Sequence, residues 1–90
     1  MEIRHIEAFL AIAEELHFGR AATRLHLTQP ALSQQLKRLE RQLGVELVSR
    51  SSRTVHLTAA GHAFRADARR IFRAIERGYF SSADSANART

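Results

Sequence analysis

The sequence predicts a mainly α-helical domain, with three helices and a short two-stranded hairpin before a longer last helix. Apolar residues recur at helical period in four stretches, and residues with capping chemistry stand at the ends of two of them. Between the third and fourth stretch lies a segment partly of β-branched residues, broken by a polar Ser51-Ser52-Arg53 turn. Ninety residues with 44% hydrophobic content suffice for one small core and leave no room for a second full domain.

The first stretch, Glu2 to Leu16, carries Ile3, Ile6, Phe9, Leu10, Ile12, Ala13 and Leu16 over about half of a helix circumference. So wide an apolar face calls for two partners, the local core on one flank and another helix, from this chain or a second one, on the other. Glu7, Glu14 and Glu15 fall outside it and keep this helix from polyanions. Its expected role is structural. His17-Phe18-Gly19 interrupts the pattern, and Arg20 to Leu25 resumes it as a short helix, where Ala21 and Ala22 permit close helix approach. His26-Leu27-Thr28 then separates it from the next helix by the connection length of a helix-turn-helix, flanked by Leu25 and Leu27.

The third stretch, Thr28 to Gly44, has two chemically different sides. Thr28 can accept a hydrogen bond from a first-turn N–H, Pro30 is tolerated in that turn, and Gly44 can supply a left-handed stop. Leu32, Leu36, Leu39 and Leu43 fall within about 60° of one another and form a narrow seam. The opposite arc carries Pro30, Ser33, Gln34, Lys37, Arg38 and Arg41, with Glu40 as the only acid, at its margin. Hydrogen-bonding groups come first on this side and positive charge follows.

Val45 to Leu57 is expected to fold back as the hairpin, with Arg50 and Arg53 at its exposed end. There they either reach a sugar-phosphate backbone or minor groove, or blunt the strand edge against pairing. Thr58 can cap the last helix, expected over Ala59 to Phe80 and roughly 33 Å long. Its seam of Phe64, Ala68, Ile71, Ile75 and Gly78, with Tyr79 adjoining, wants a second helix, whose natural source is another subunit. Arg65, Arg69, Arg73 and Arg77 line the other side and read more readily as a solvated face than as a nucleic-acid contact. The final ten residues, SSADSANART, have no periodic apolar face and read as a linker end.

Fourteen Lys+Arg against nine Asp+Glu give a formal charge of +5, which favours polyanionic partners. With no cysteine, disulfides and thiolate chemistry are excluded. His5, His17, His26, His56 and His62 show no metal-ligand spacing, no GxSxG elbow or Gly-rich phosphate loop occurs, and no stretch is apolar enough to span a membrane. Neither an enzyme nor a cofactor is expected. A binding module remains, for DNA on the basic helix face or for another protein with that face merely solvated.

The run IEAFLAIAEELHFGRAATRLHLTQPALSQQLKRLERQLGVELVSR, with its AAxxLxxTQPALSxQxxxLExxLGxxLxxR pattern, and the following LTAAG resemble the N-terminal DNA-binding region of LysR-type bacterial transcriptional regulators. The resemblance spans nearly the whole chain. It implies a winged helix-turn-helix over residues 1–58, a dimerisation and linker helix over 59–80 and a linker end over 81–90, in a cytoplasmic protein acting at the bacterial nucleoid. Thr28, Gln29, Pro30, Ser33, Gln34 and Lys37 match family positions at or near DNA, and Arg50 and Arg53 match the wing. The last helix, through Phe64, Ala68, Ile71, Ile75 and Tyr79, is expected to pair two subunits. A C-terminal domain that binds a small-molecule effector normally follows in the family and is absent from this chain. Ala31 stands where many members have proline, and Gln34 where a basic residue is common. Both departures bear on base preference rather than fold.

Overall fold

The computed structural model describes residues 1–51 and 54–78. Its element order is α1 (Ile3–Glu15), α2 (Phe18–Arg24), α3 (Gln29–Leu43), β1 (Val48–Arg50), β2 (Val55–Leu57) and α4 (Ala59–Glu76). The expected three helices, hairpin and longer last helix are all present.

The broad apolar face of α1 makes it the central helix. It packs against α2, α3 and α4, and an unbroken run from Ala8 to Ala13 is buried. The flank expected to meet another helix meets α4 of the same chain, where the Phe9 and Phe64 rings tilt against each other with centroids 5.7 Å apart. Phe9, Ile12, Leu32, Leu39 and Leu47 are the largest fully buried side chains, so α1, α3 and the residue before β1 share one core. His5 is also buried, and its ring nitrogens have no hydrogen-bond partner among the described residues.

The second helix begins earlier than expected. His17 adopts extended backbone, and its Nδ1 accepts a hydrogen bond from the Arg20 N–H at 2.9 Å, so the helix starts at Phe18 rather than Arg20. Imidazole here performs the capping task usually given to a hydroxyl or carboxylate. In the turn that follows, His26 takes φ 58° and the Leu27 N–H returns to the Ala22 carbonyl at 2.8 Å. The ends of α3 match the expected chemistry: Thr28 Oγ1 accepts from the Ala31 N–H, and Gly44 stops the helix at φ 75°.

The strands pair antiparallel in the register Val48↔Leu57, Ser49↔His56, Arg50↔Val55. Thr58 joins the hairpin to α4 twice, since its Oγ1 accepts from the Gly61 N–H at 3.0 Å and donates to the Glu46 carbonyl at 2.6 Å. Gly61 permits close approach here. A Cβ at that position would lie 2.1 Å from the Leu47 carbonyl oxygen, against backbone rather than the end of a flexible side chain.

Two expectations about α4 need correction. The helix was expected to run to Phe80 with Gly78 in its seam, but it ends at Glu76 and Gly78 takes φ 77°, the left-handed conformation that terminates helices. Its 18 residues span ~27 Å. Ala68, expected to face a second subunit, has no exposed surface within this chain, because the first half of the seam lies on the chain's own core. Ion pairs extend this contact: Arg24 meets Glu14 at 2.7 Å and Glu15 at 3.5 Å, Arg20 meets Glu15 at 3.3 Å, and Arg69 meets Glu14 at 3.7 Å. The acids of α1 thus hold α2 and α4. No helix among the described residues is long and apolar enough to cross a membrane.

Candidate nucleic-acid interface

Burying Leu32, Leu36 and Leu39 in the core fixes which side of α3 faces outward. Thr28, Gln29, Pro30, Gln34, Lys37 and Arg38 are exposed, while Ala31 and Ser33 are half-buried at the margin. One lone pair of Thr28 Oγ1 is committed to the helix cap, and its O–H can still donate to an external oxygen. The first two turns therefore present neutral hydrogen-bonding groups and small apolar surfaces, and the third presents cations.

Glu40, read from sequence as a stray acid at the margin of a basic face, has a different task. Its Oε2 accepts from the backbone N–H groups of Leu47 and Val48, at 2.7 and 3.2 Å. One carboxylate thereby ties the entry of β1 to the fourth turn of α3, fixing the wing relative to the exposed helix face. The lone acid on an otherwise basic face, seven residues before the apolar pair Leu47-Val48, was the available signal.

Arg50 ends β1 beside that face, and its Cζ lies 3.8 Å from the centroid of the Phe18 ring. Phe18, which sequence periodicity left in an interruption, is buried at the first position of α2. Arg50 lines a cleft of about 510 Å³ with Leu16, His17, Gln29 and Thr54, and a second of about 240 Å³ with Ser33, Lys37 and Ser49. The structure thus brings Gln29, Ser33, Lys37 and Arg50 to one continuous surface. Arg53 and Tyr79 lie outside the described residues.

Other cations are engaged in the fold. The Arg24 guanidinium is held above its ordinary value chiefly by the hydrogen bond to Glu14, with partial burial acting against it. Of the expected subunit-pairing residues, Phe64, Ile71 and Ile75 are half-buried in the single chain, and Ala68 is buried completely. Among the described residues, no group of His, Asp and Glu side chains is placed to hold a metal ion.

Residues 3–62 match the family described as "Bacterial regulatory helix-turn-helix protein, lysR family". The chain is 54% identical over 76 residues to the HTH-type transcriptional regulator YnfL of Escherichia coli K12, covering 84% of this chain and 26% of that protein. It is 61% identical over 64 residues to the HTH-type transcriptional regulator AlsR of Bacillus subtilis, covering 71% of this chain and 21% of that protein. The chain thus spans about a quarter of the length of these relatives. Among solved structures, the CbnR DNA-binding domain in complex with DNA superposes with a TM-score of 0.84 at 46% identity, covering 96% of this chain and 99% of that one. The BenM DNA-binding domain bound to catB site 1 DNA gives 0.83 at 37% identity, covering 96% and 97%. The matched proteins are transcriptional regulators rather than enzymes. With the helix-turn-helix, the wing and the long fourth helix in the same order as in those DNA-bound domains, this chain belongs to the LysR family of bacterial regulators, as its DNA-binding domain.

Proposed function

We propose that this domain binds double-stranded DNA sequence-specifically as a homodimer, with the N-terminal half of α3 in the major groove and the wing on the backbone and minor groove. The observation that carries this reading is the exposed row on α3, opposite its buried leucines and continuous with Arg50 on the wing. Gln34 and Ser33 suit base edges, since glutamine pairs bidentately with adenine and serine accepts either partner; Pro30 and Ala31 offer apolar contact to a thymine methyl. Thr28, Gln29, Lys37 and Arg50 suit phosphates, and Arg53 suits the backbone or minor groove. DNA complexes of the CbnR and BenM domains, which match nearly this whole chain, support the assignment.

Subunits pair through the outer part of α4, where Ile71 and Ile75 retain exposed apolar surface, together with Phe64 and Tyr79. Two-fold symmetry then sets an interrupted palindrome, beginning with T and ending with A, with half-sites about one helical turn apart or a multiple of it. The protein acts in the bacterial cytoplasm, at the nucleoid. Response to a small-molecule effector belongs, on this reading, to a C-terminal domain outside this chain. Footprinting on duplexes selected by the domain from a random pool, with competition binding at two salt concentrations, tests the proposal. Salt-dependent, sequence-discriminating protection of paired half-sites is expected. A single unpaired half-site overturns the dimer, and indifference to sequence overturns the reading in favour of a protein-interaction module whose basic face is solvated.

A further inference from the structure

Phe18 and Arg50 lie far apart in sequence and meet at the junction of three elements. Phe18 opens α2 with only 4% of its surface exposed, so the core holds its ring in place. Arg50 closes β1 and is exposed, with its guanidinium carbon 3.8 Å from the ring centroid, well inside the ~6 Å reach of a cation–π contact. Such stacking uses the flat face of the guanidinium and leaves its in-plane N–H donors for another acceptor. Among the described residues no carboxylate pairs with it; Glu40, across the cleft, spends its Oε2 on the N–H groups of Leu47 and Val48. The same arginine lines both clefts that separate the wing from the helix-turn-helix, one beside Gln29 and one beside Ser33 and Lys37.

We propose that Phe18 is a positioning residue for DNA binding: its ring holds the Arg50 guanidinium at the gap between α3 and the wing, so that the arginine meets a backbone phosphate already ordered. This rests on the proposed DNA-binding surface and adds to it a residue that does not touch DNA itself. An exposed arginine loses conformational freedom when it binds, and a pre-placed one has lost it beforehand, an advantage worth roughly 2- to 12-fold in affinity.

The experiment measures affinity for a duplex that the wild-type domain selects from a random-sequence pool, using Phe18→Leu, Arg50→Ala, the double variant and Arg50→Lys. Leucine preserves apolar burial and removes the π face; lysine preserves charge and removes the planar one. Phe18→Leu should weaken binding about 3-fold in the wild-type background and less than about 1.5-fold in the Arg50→Ala background. Arg50→Ala should lower the salt-dependence slope by about 0.9, one phosphate, whereas Phe18→Leu should leave the slope intact because the contact is still made. Arg50→Lys should lose as much as Phe18→Leu. Equal loss from Phe18→Leu in both backgrounds, or none in either, overturns the positioning role while leaving DNA binding standing. Failure of the wild-type domain to select any duplex overturns both. If Phe18→Leu melts below the assay temperature, Phe18→Met and Arg50→Lys carry the same comparison, and wild-type affinity in both overturns the proposal.

Discussion

Replacing Glu40 by alanine should detach the wing from α3 and lower stability more than any other single change on the exposed side of that helix. The carboxylate accepts two backbone N–H bonds, at 2.7 Å from Leu47 and 3.2 Å from Val48. Hydrogen bonds to a charged group contribute about 1.5–3 kcal/mol each, and a buried N–H left without an acceptor costs about 1–3 kcal/mol. Leu47 is completely buried, so water reaches its N–H poorly once the carboxylate is gone, whereas the longer Val48 bond loses less. Returning a half-buried carboxylate to water offsets part of this, and the net expectation is about 2–4 kcal/mol. For a domain of this size that lowers the melting temperature by roughly 10–25 °C. Glu40→Gln keeps a neutral acceptor oxygen and should lose only about 1 kcal/mol. Urea unfolding followed by circular dichroism gives the energies, and amide hydrogen exchange locates them at Leu47 and Val48. A loss under about 0.5 kcal/mol for Glu40→Ala, with both amides still protected, would refute the tether.

Gly61→Ala places a methyl group 2.1 Å from the Leu47 carbonyl oxygen, so α4 must shift away from β1; a loss of at least about 2 kcal/mol in urea unfolding is expected. Thr58→Ala removes the cap of α4 together with the bond to Glu46 and should cost about 1–2 kcal/mol, while Thr58→Ser, which retains the hydroxyl, should stay within about 0.5 kcal/mol by the same measurement. Lys37→Ala should weaken binding to all duplexes alike and flatten the salt dependence by about one unit, whereas Gln34→Ala should relax preference at one base position by ~1–3 kcal/mol. Binding-site selection with each variant checks this pair, and exchanged phenotypes would reverse the two roles.

What sequence reasoning recovered was whatever depends on residues close together in the chain. The caps at Thr28 and Thr58, the stop at Gly44 and the leucine seam of α3 each follow from side-chain chemistry within one or three helical turns. The early start of α2 escaped because histidine is not a usual N-cap, although the hydrogen bond His17 makes is as local as that of Thr28. The α4 seam is legible as apolar, but helical period says that a face must be buried and not by what, so the sequence does not separate the part that meets the chain's own core from the part left for a second subunit. Ala68 meets the chain's own core, a fact set by how α4 crosses α1. Phe18 and Glu40 belong to this last kind. Each meets β1 or the residue before it from a helix that ends ahead of that strand, where helical period no longer says which side chains meet. The candidate surface consequently has two layers: the exposed row on α3 announces itself by composition, while behind it stand a carboxylate that ties the wing to α3 and a ring that stacks on Arg50, which a search for exposed basic residues passes over. Substituting Glu40 should therefore alter how firmly the wing is held against α3, and substituting Phe18 how well the Arg50 guanidinium is ordered, in neither case removing a group from the exposed row, so the two contributions can be uncoupled by experiment.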